Sequence, residues 1–161
     1  MSQPEPTPRQ PLQVVSFHLG EHEFAVDIMR CMEIHRMLPI TPLPSAPPFV
    51  EGVFTLRGTV IPCVDLRKRF EMPPVEPTGR SRIVIIELAG EGQQAGLLVD
   101  RVERRVALDP DSITEPPALT TNVEPRYLSG VCQVDEHLLL ILDIDYIFSP
   151  GELARLAALE T

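Results

Sequence analysis

Tryptophan is absent from this 161-residue chain, and only two tyrosines and six phenylalanines are present, so a core must be mainly aliphatic. Basic residues are also scarce, and the formal net charge is -9. This negative charge argues against nucleic acids and anionic membrane surfaces as partners, because both attract basic surfaces. No apolar run is longer than five residues, which predicts no direct membrane insertion.

Cysteine and the known catalytic motifs are equally sparse. The three cysteines, Cys31, Cys63 and Cys132, are an odd number without metal-site spacing, and their apolar surroundings favour small buried side chains. No HExxH motif, phosphate loop or nucleophile elbow is present. The sequence therefore predicts no metal site, no cofactor and no enzymatic activity. The N-terminal residues lack the basic and apolar segments of a signal peptide, which predicts a cytoplasmic protein.

The most informative stretch is residues 49–70, FVEGVFTLRGTVIPCVDLRKRF. Two β-rich runs flank Arg57-Gly58, a pair that suits a tight hairpin turn because glycine accepts a positive φ. Asp65 follows the second run at the position of a helix N-cap. Gly52 suits the C-terminus of a preceding short helix. The stretch predicts a β-hairpin that leads directly into a short helix.

A shift of 78 residues superposes Gly52 on Gly130 and Asp65 on Asp143. The second copy reads LSGVCQVDEHLLLILDIDYIF and keeps the apolar positions of the first. Coincidence between two strand-turn-strand segments is the alternative, but the register of glycine and aspartate favours two similar β-units in tandem. The turns differ, since the second copy has Asp135-Glu136, so Arg57 is peculiar to the first.

The remaining segments divide the chain. Residues 1–13 contain four prolines among polar residues and predict a disordered, solvated tail. Residues 14–148 form the folded part, with one unit at about 14–78 and a second at about 80–148. A capping box at Ser149 begins a C-terminal helix over residues 149–161. Its apolar stripe is expected to dock on the body or on a partner.

One apolar segment is a candidate lining for a binding groove between the units. Ile28, Cys31 and Ile34 recur at three-residue spacing, which fits a short helical turn or an irregular sheet edge. Open sheet edges can accept a partner, and an acidic body with an apolar groove suits helical or β-structured proteins. A small-ligand β-barrel is the alternative, but it needs converging polar groups that the sequence does not offer. The apolar groove candidates are Ile28, Cys31, Ile34, Leu97, Val99 and Val102.

Together these motifs resemble the CheW family, the scaffold proteins of bacterial chemosensory arrays. The resemblance covers residues 14–148 and is strongest in GVFTLRGTVIPCVDLRKRF, with further matches in CMEIHRM, ITPLPSAP and GLLVDRV. Three small departures occur: Thr55 stands where asparagine is common, and Cys31 and Cys63 stand where valine is common.

The resemblance implies an all-β fold of two tandem SH3-like five-stranded β-barrel subdomains around a shared core, with short helices. It implies a non-enzymatic adaptor that binds the regulatory domain of a CheA-type histidine kinase and the cytoplasmic tip of chemoreceptors, the methyl-accepting proteins. Such an adaptor is recruited to receptor arrays. A scaffold for another chemosensory output, such as pili, gliding or gene regulation, remains open because output depends on the partners.

Carried over position by position, the arginine of the family's R-G turn is Arg57 and the glutamate of its E-I pair is Glu33. We expect these two side chains to form an ion pair beside the receptor-binding groove. An exposed Arg57 without a partner is the alternative. The sequence does not assign the kinase-binding residues.

Overall fold

The computed structural model describes residues 10–88, 92–116 and 124–159. These residues form ten strands, two α-helices and three short 3-10 turns. The strands are β1 Leu12–Leu19, β2 His22–Asp27, β3 Cys31–Arg36, β4 Val50–Leu56, β5 Thr59–Asp65, β6 Arg82–Leu88, β7 Gln93–Val99, β8 Arg101–Leu108, β9 Leu128–Val134 and β10 His137–Leu142. The helices are α1 Leu66–Arg69 and α2 Pro150–Ala158, and the 3-10 turns are Ile28–Arg30, Pro110–Ser112 and Pro125–Tyr127.

The strands form two five-stranded sheets of the same design. Sheet 1 has the order β8-β1-β2-β10-β9, and sheet 2 has the order β3-β6-β7-β5-β4. Each sheet contains one parallel pair, β10–β2 in sheet 1 and β5–β7 in sheet 2, and its other pairs are antiparallel. The central strands have apolar residues on both faces. One face packs on an apolar cluster within the same sheet, and the other packs on a cluster shared with the other sheet.

Three apolar clusters account for this burial. One lies within sheet 1 around Val14 and Leu139, and one lies within sheet 2 around Phe54 and Ile83. The largest combines residues of both sheets. Its few aromatic rings are grouped, with the Phe24 ring centroid 6.1 Å from that of Phe17. The predicted all-β fold of two five-stranded units around a shared, mainly aliphatic core is confirmed.

The internal repeat is confirmed in detail. Shifted by 78 residues, β4 and β5 coincide with β9 and β10, and both hairpins have a register shift at the corresponding position. Both turns begin with a left-handed residue, Arg57 at φ 50° and Asp135 at φ 47°. The Asp65 carboxylate accepts a hydrogen bond from the Arg67 backbone N–H, and Asp143 accepts one from Asp145 in the same way. The repeated aspartate therefore has a repeated structural role.

The two halves of the chain exchange their first hairpins. Residues 14–78 and 80–148 each contribute five strands, but β1 and β2 join sheet 1 while β3, β4 and β5 join sheet 2. Likewise β6 and β7 join sheet 2, and β8, β9 and β10 join sheet 1. A division of the chain at about residue 79 thus separates the repeats but not the sheets. In each case the second strand of the hairpin pairs with the last strand of the other half: β2 pairs with β10, and β7 pairs with β5.

Two local predictions differ from the structure. The strand β1 begins at Leu12 and pairs with Leu108, so residues 12–13 are not part of a disordered tail. Residues 1–9 of that predicted tail lie outside the described residues, as do residues 160–161 of the predicted C-terminal helix. Gly52 does not end a helix but lies inside β4, where the backbone of Thr41 crosses it.

Candidate functional site

The expected ion pair is present at the edge of sheet 2. Glu33 lies on β3, the outermost strand of that sheet, and Arg57 begins the β4–β5 turn. The Arg57 Nη1 atom is 3.4 Å from Glu33 Oε1, and Nη2 contacts Oε2. The hydrogen bonds from Arg57 lower the pKa of the Glu33 carboxyl. The Arg57 side chain is 70% exposed, so solvent screens the pair and its contribution to stability is small.

The stretch of chain that carries Glu33 exposes three apolar side chains. Met29 is 81% exposed, Met32 52% and Ile34 39%. A depression of about 210 Å³ lies between Met32, Glu33, Leu56, Arg57 and neighbouring residues. We call Met29, Met32, Ile34 and the Glu33–Arg57 pair the β3 surface; Met32 lines the depression beside the pair, and Ile34 lies on the other face of the strand. An edge strand with exposed methionines beside a fixed ion pair is typical of a surface that binds another protein.

The equivalent position of sheet 1 carries an ion pair with the charges reversed. Superposing the two sheets places Arg104 of β8 on Glu33, because each follows the same one-residue bulge in the outer strand. The 78-residue shift places Asp135 on Arg57. Arg104 Nη1 lies 3.6 Å from Asp135 Oδ2. Both units therefore join their outer strand to the tip of a hairpin by opposite charges.

The surroundings of the two pairs differ in polarity. The superposition places Glu103 on Met32 and Arg105 on Ile34. Both β8 residues are exposed, as are their apolar equivalents on β3. The outer strand of sheet 1 is thus charged where that of sheet 2 is apolar. The exposed apolar residues are therefore a property of sheet 2 alone, whereas the ion pair is common to both sheets.

The other predicted groove residues do not all lie on the surface. Ile28 is half-buried in the 3-10 turn between β2 and β3, while Cys31 and Val102 occupy equivalent positions and pack against the shared core. Leu97 and Val99 are 0% and 2% exposed, so a partner cannot contact them, and their assignment to the groove is corrected. They are buried because their side chains belong to the apolar cluster that combines both sheets.

A second polar contact, which the sequence analysis did not predict, joins two of the family motifs. Arg67, from DLRKRF, donates from Nε to Asp100 Oδ1 at 2.8 Å, and Asp100 lies in GLLVDRV. The backbone N–H of Gly20 donates to the same carboxylate at 2.7 Å. Both side chains of the pair are mostly shielded from solvent. The contact fixes α1 against the turn between β7 and β8.

We predict that this contact makes stability depend on pH. Burial acts to raise the pKa of Asp100, but hydrogen bonds from Arg67 and Gly20 outweigh it and leave the pKa below its usual value. A folded-state pKa below that of the unfolded chain stabilises the protein above the unfolded pKa, about 3.9, and this stabilisation is lost as the pH falls through the folded pKa. Asp100→Asn should therefore destabilise the protein at pH 7 and do so less at pH 3.

Urea unfolding at several pH values checks this prediction. Glu76→Gln is the matched control, since Glu76 is exposed and the same substitution removes one negative charge. An equal loss of stability in Asp100→Asn at pH 7 and pH 3 would contradict the assigned role.

The cysteines and other potential ligands have structural surroundings. Cys63 and Cys132 are buried, Cys31 is partly buried, and none is in a disulfide. Burial raises the pKa of the Cys63 thiol to about 12, so this thiol stays protonated. Within residues 10–88, 92–116 and 124–159, no three histidine, cysteine, aspartate or glutamate side chains are grouped to hold a metal ion. In the same described segments, no helix has the length and apolarity to cross a membrane.

Comparison with known proteins agrees with the fold and the motifs. The profile of the CheW-like domain matches residues 13–151. "Chemotaxis protein CheW" of Treponema pallidum is 34% identical over 149 residues, with 91% of this chain and 88% of the relative covered. "Chemotaxis protein CheW" of Thermotoga maritima is 35% identical over 138 residues, with 84% and 86% covered.

Structural similarity leads to the same family. The crystal structure of the scaffolding protein TtCheW from Thermoanaerobacter tengcongensis superposes with a TM-score of 0.80 at 32% identity, and covers 94% of this chain and 96% of that one. The chain belongs to the family of CheW-like domain proteins.

Proposed function

We propose that this chain couples chemoreceptors to a CheA-type histidine kinase by binding both, without catalysing a reaction. Family membership makes it a chemotaxis adaptor, and the finer proposal concerns its partners and surfaces. In this role the protein acts in the cytoplasm and is recruited to receptor arrays. A rigid scaffold suits the task, because two partners bound to one packed body keep a fixed relative position.

The β3 surface is the observation that carries the proposal. Its exposed Met29, Met32 and Ile34 provide apolar area for one face of a helical hairpin such as a receptor tip. The Glu33–Arg57 pair at its border can hydrogen-bond to polar groups at the edge of that face. The equivalent surface of sheet 1 has the ion pair without the apolar residues. The repeated fold therefore does not require exposed methionines beside such a pair.

We place the kinase on a different surface, so that both partners bind together. Under this arrangement, a change confined to the β3 surface weakens receptor binding and leaves kinase binding intact. The matched pair of positions Arg57 and Asp135 allows this to be tested, since each lies at the tip of an equivalent hairpin.

The experiment is calorimetric titration of the full chain with a purified receptor-tip fragment and, separately, with the kinase regulatory domain. Arg57→Ala should weaken receptor binding by roughly tenfold or more, as loss of an interface arginine often does. Asp135→Ala, the control, should leave receptor affinity unchanged. Equal weakening of both partners by Arg57→Ala would contradict the two-surface arrangement, and failure of the wild-type chain to bind either partner would remove the adaptor function.

A further inference from the structure

Most basic side chains of this acidic protein form ion pairs within the chain. Nη1 and Nη2 of Arg69, for example, each donate to one oxygen of Glu152 at 2.8 Å. This contact and the burial of Leu156 dock α2 on the body of its own chain, which is one of the two alternatives expected for that helix. In the part of the chain that the structure describes, the arginines without an ion pair are Arg36, Arg80, Arg82, Arg105 and Arg155.

Two of these unpaired arginines lie side by side at one end of sheet 2. Arg36 ends β3 and Arg82 begins β6, and the two residues are directly opposite each other in the antiparallel pairing. Side chains at such positions point to the same face of the sheet, with Cβ atoms about 5 Å apart. Arg82 Nη1 donates to the carbonyl oxygens of Gly79 and Ser81 at 2.9 and 2.8 Å, which holds its guanidinium at the start of β6. Two positive charges are therefore next to each other on one face of sheet 2.

The neighbouring positions on this face do not neutralise the two charges. Val99 of β7 is opposite Arg82 on its other side, and Ile34 with Val84 forms the next row of the same face. Arg80, two residues before Arg82, is exposed and adds a third positive charge. Like charges directly opposite each other destabilise a sheet. Such a repulsive arrangement in a protein of net charge -9 has a physical reason if a partner supplies the missing negative charge.

The arginines border an apolar part of the β3 surface. Ile34 is 39% exposed and lies two residues before Arg36, so both side chains point to the same face of β3. Two residues along a strand cover about 6–7 Å, and one turn of a helix covers about 5.4 Å. A partner helix that runs along β3 and covers Ile34 with an apolar side chain therefore places the residue one turn away opposite Arg36.

We propose that the receptor helix on the β3 surface carries a carboxylate one turn from the apolar residue that covers Ile34, and that Arg36 and Arg82 bind this carboxylate. Two adjacent guanidinium groups donate to both carboxylate oxygens, and such charge-assisted hydrogen bonds are strong and directional. The carboxylate also removes the repulsion between the two arginines. The inference rests on the proposed receptor binding, and it adds the residue type that the receptor tip must present at this position.

The test is calorimetric titration of the full chain with the receptor-tip fragment at low and at high salt. Arg36→Gln should weaken binding at low salt about threefold to tenfold, and Arg36→Glu should weaken it more, because like charges then face each other. High salt should reduce the difference between wild type and Arg36→Gln, since it screens exposed charges. Arg155→Gln is the control. It removes the same charge from an exposed, unpaired arginine of α2 and should leave the affinity unchanged.

The stability of the free protein separates a binding role of Arg36 from a structural one. Arg36 is exposed, and within the described residues its side chain makes no hydrogen bond or ion pair. Arg36→Gln should therefore keep the urea midpoint of unfolding or raise it slightly, because the substitution removes the repulsion with Arg82. A variant that binds the receptor tip more weakly without loss of stability has lost a contact to the partner.

Variants of the receptor tip identify the carboxylate. Each exposed glutamate or aspartate of the fragment is replaced in turn by its amide, and one replacement should weaken binding about as much as Arg36→Gln does. Combining that replacement with Arg36→Gln should cause little further loss, since both remove the same contact.

Two results would overturn the inference while leaving the adaptor function in place. In the first, Arg36→Gln binds the tip as tightly as Arg155→Gln does. In the second, every carboxylate of the tip acts additively with Arg36→Gln. A wild-type chain that does not bind the tip at all is a different result, because it removes the proposed receptor site together with this inference.

Discussion

Gly52→Ala should lower the free energy of unfolding by about 3–5 kcal/mol, although it adds a single methyl group. Gly52 has a φ of 150°, a conformation in which a side chain costs on the order of 1–3 kcal/mol. The new methyl carbon would also lie 2.1 Å from the carbonyl oxygen of Thr41. Overpacking of this kind adds about 1–3 kcal/mol, and the obstacle is backbone rather than a flexible side chain.

The backbone of Thr41 cannot easily move away from Gly52. Its N–H donates to the Val53 carbonyl at 2.8 Å, and its carbonyl accepts from the Val53 N–H at 2.9 Å. Relief of the clash would break this bridge, which closes the connection between β3 and β4 onto the sheet. The expected loss therefore includes a local loss of structure at the start of β4.

Two other glycines separate the causes of the effect. Gly58 has a φ of 81° but open space around it, so Gly58→Ala should cost only about 1–2 kcal/mol. Gly79 has neither a positive φ nor a close neighbour, so Gly79→Ala should be nearly neutral. Chemical denaturation of the three variants measures these differences. Equal losses in Gly52→Ala and Gly58→Ala would show that the Thr41 contact has no energetic weight.

Arg69→Ala should lower the free energy of unfolding by about 2–4 kcal/mol. Breaking a buried pair costs about 3–5 kcal/mol and an exposed pair at most about 1. The side chains of Arg69 and Glu152 are 12% and 23% exposed, so the pair lies nearer the buried limit. The variant also removes the guanidinium from the rings of Phe49 and Phe148. Arg69→Lys should restore only part of the loss, because lysine lacks the bidentate geometry.

A double-mutant cycle with Glu152→Ala isolates the pair. The interaction energy should be about 1–3 kcal/mol, within the range for residues in one hydrogen-bond network. Arg126→Ala is the control, since Arg126 pairs with Glu124 but is 66% exposed, and its loss should be much smaller than that of Arg69→Ala. Additive losses in Arg69→Ala and Glu152→Ala would mean that the pair does not hold α2 in place.

Local patterns predicted much of this structure. Alternating and β-rich runs around Arg57-Gly58 predicted the hairpin, and a constant shift between two glycines and two aspartates predicted its repetition. The helix cap at Asp65 and the capping box at Ser149 are likewise local, because each depends on hydrogen bonds within a few residues. The pairing of Glu33 with Arg57 came from the family resemblance and is present in the structure.

Contacts between distant parts of the chain were harder to predict. The exchange of hairpins between the halves follows from which strand borders β2 and β7, and apolar patterning does not specify a neighbour. Leu97 and Val99 are groove candidates in the sequence because they are apolar, whereas in the structure they face the core shared by the two sheets. The role of Gly52 depends on a contact with Thr41, eleven residues away. The sequence pattern around Gly52 indicates instead the end of a helix, which is wrong.

The exposed residues of the β3 surface were also hard to predict, because their exposure depends on contacts between distant strands. Met29 and Met32 were not named as surface residues, since an apolar side chain next to Cys31 and Ile34 is equally compatible with a core. Their exposure has meaning only once β3 is known to be the outer strand and β8 its charged equivalent. That comparison required the strand pairing of both sheets.

The most direct test introduces charged residues of β8 at the equivalent positions of β3. The double variant Met32→Glu with Ile34→Arg introduces the residue types of Glu103 and Arg105 at the equivalent positions. Both sites are exposed, so the fold should tolerate the change. Titration with the receptor-tip fragment should then show at least tenfold weaker binding, and titration with the kinase regulatory domain should show no change. Unaltered receptor affinity in the folded variant would contradict the assignment of the β3 surface as the receptor-binding site.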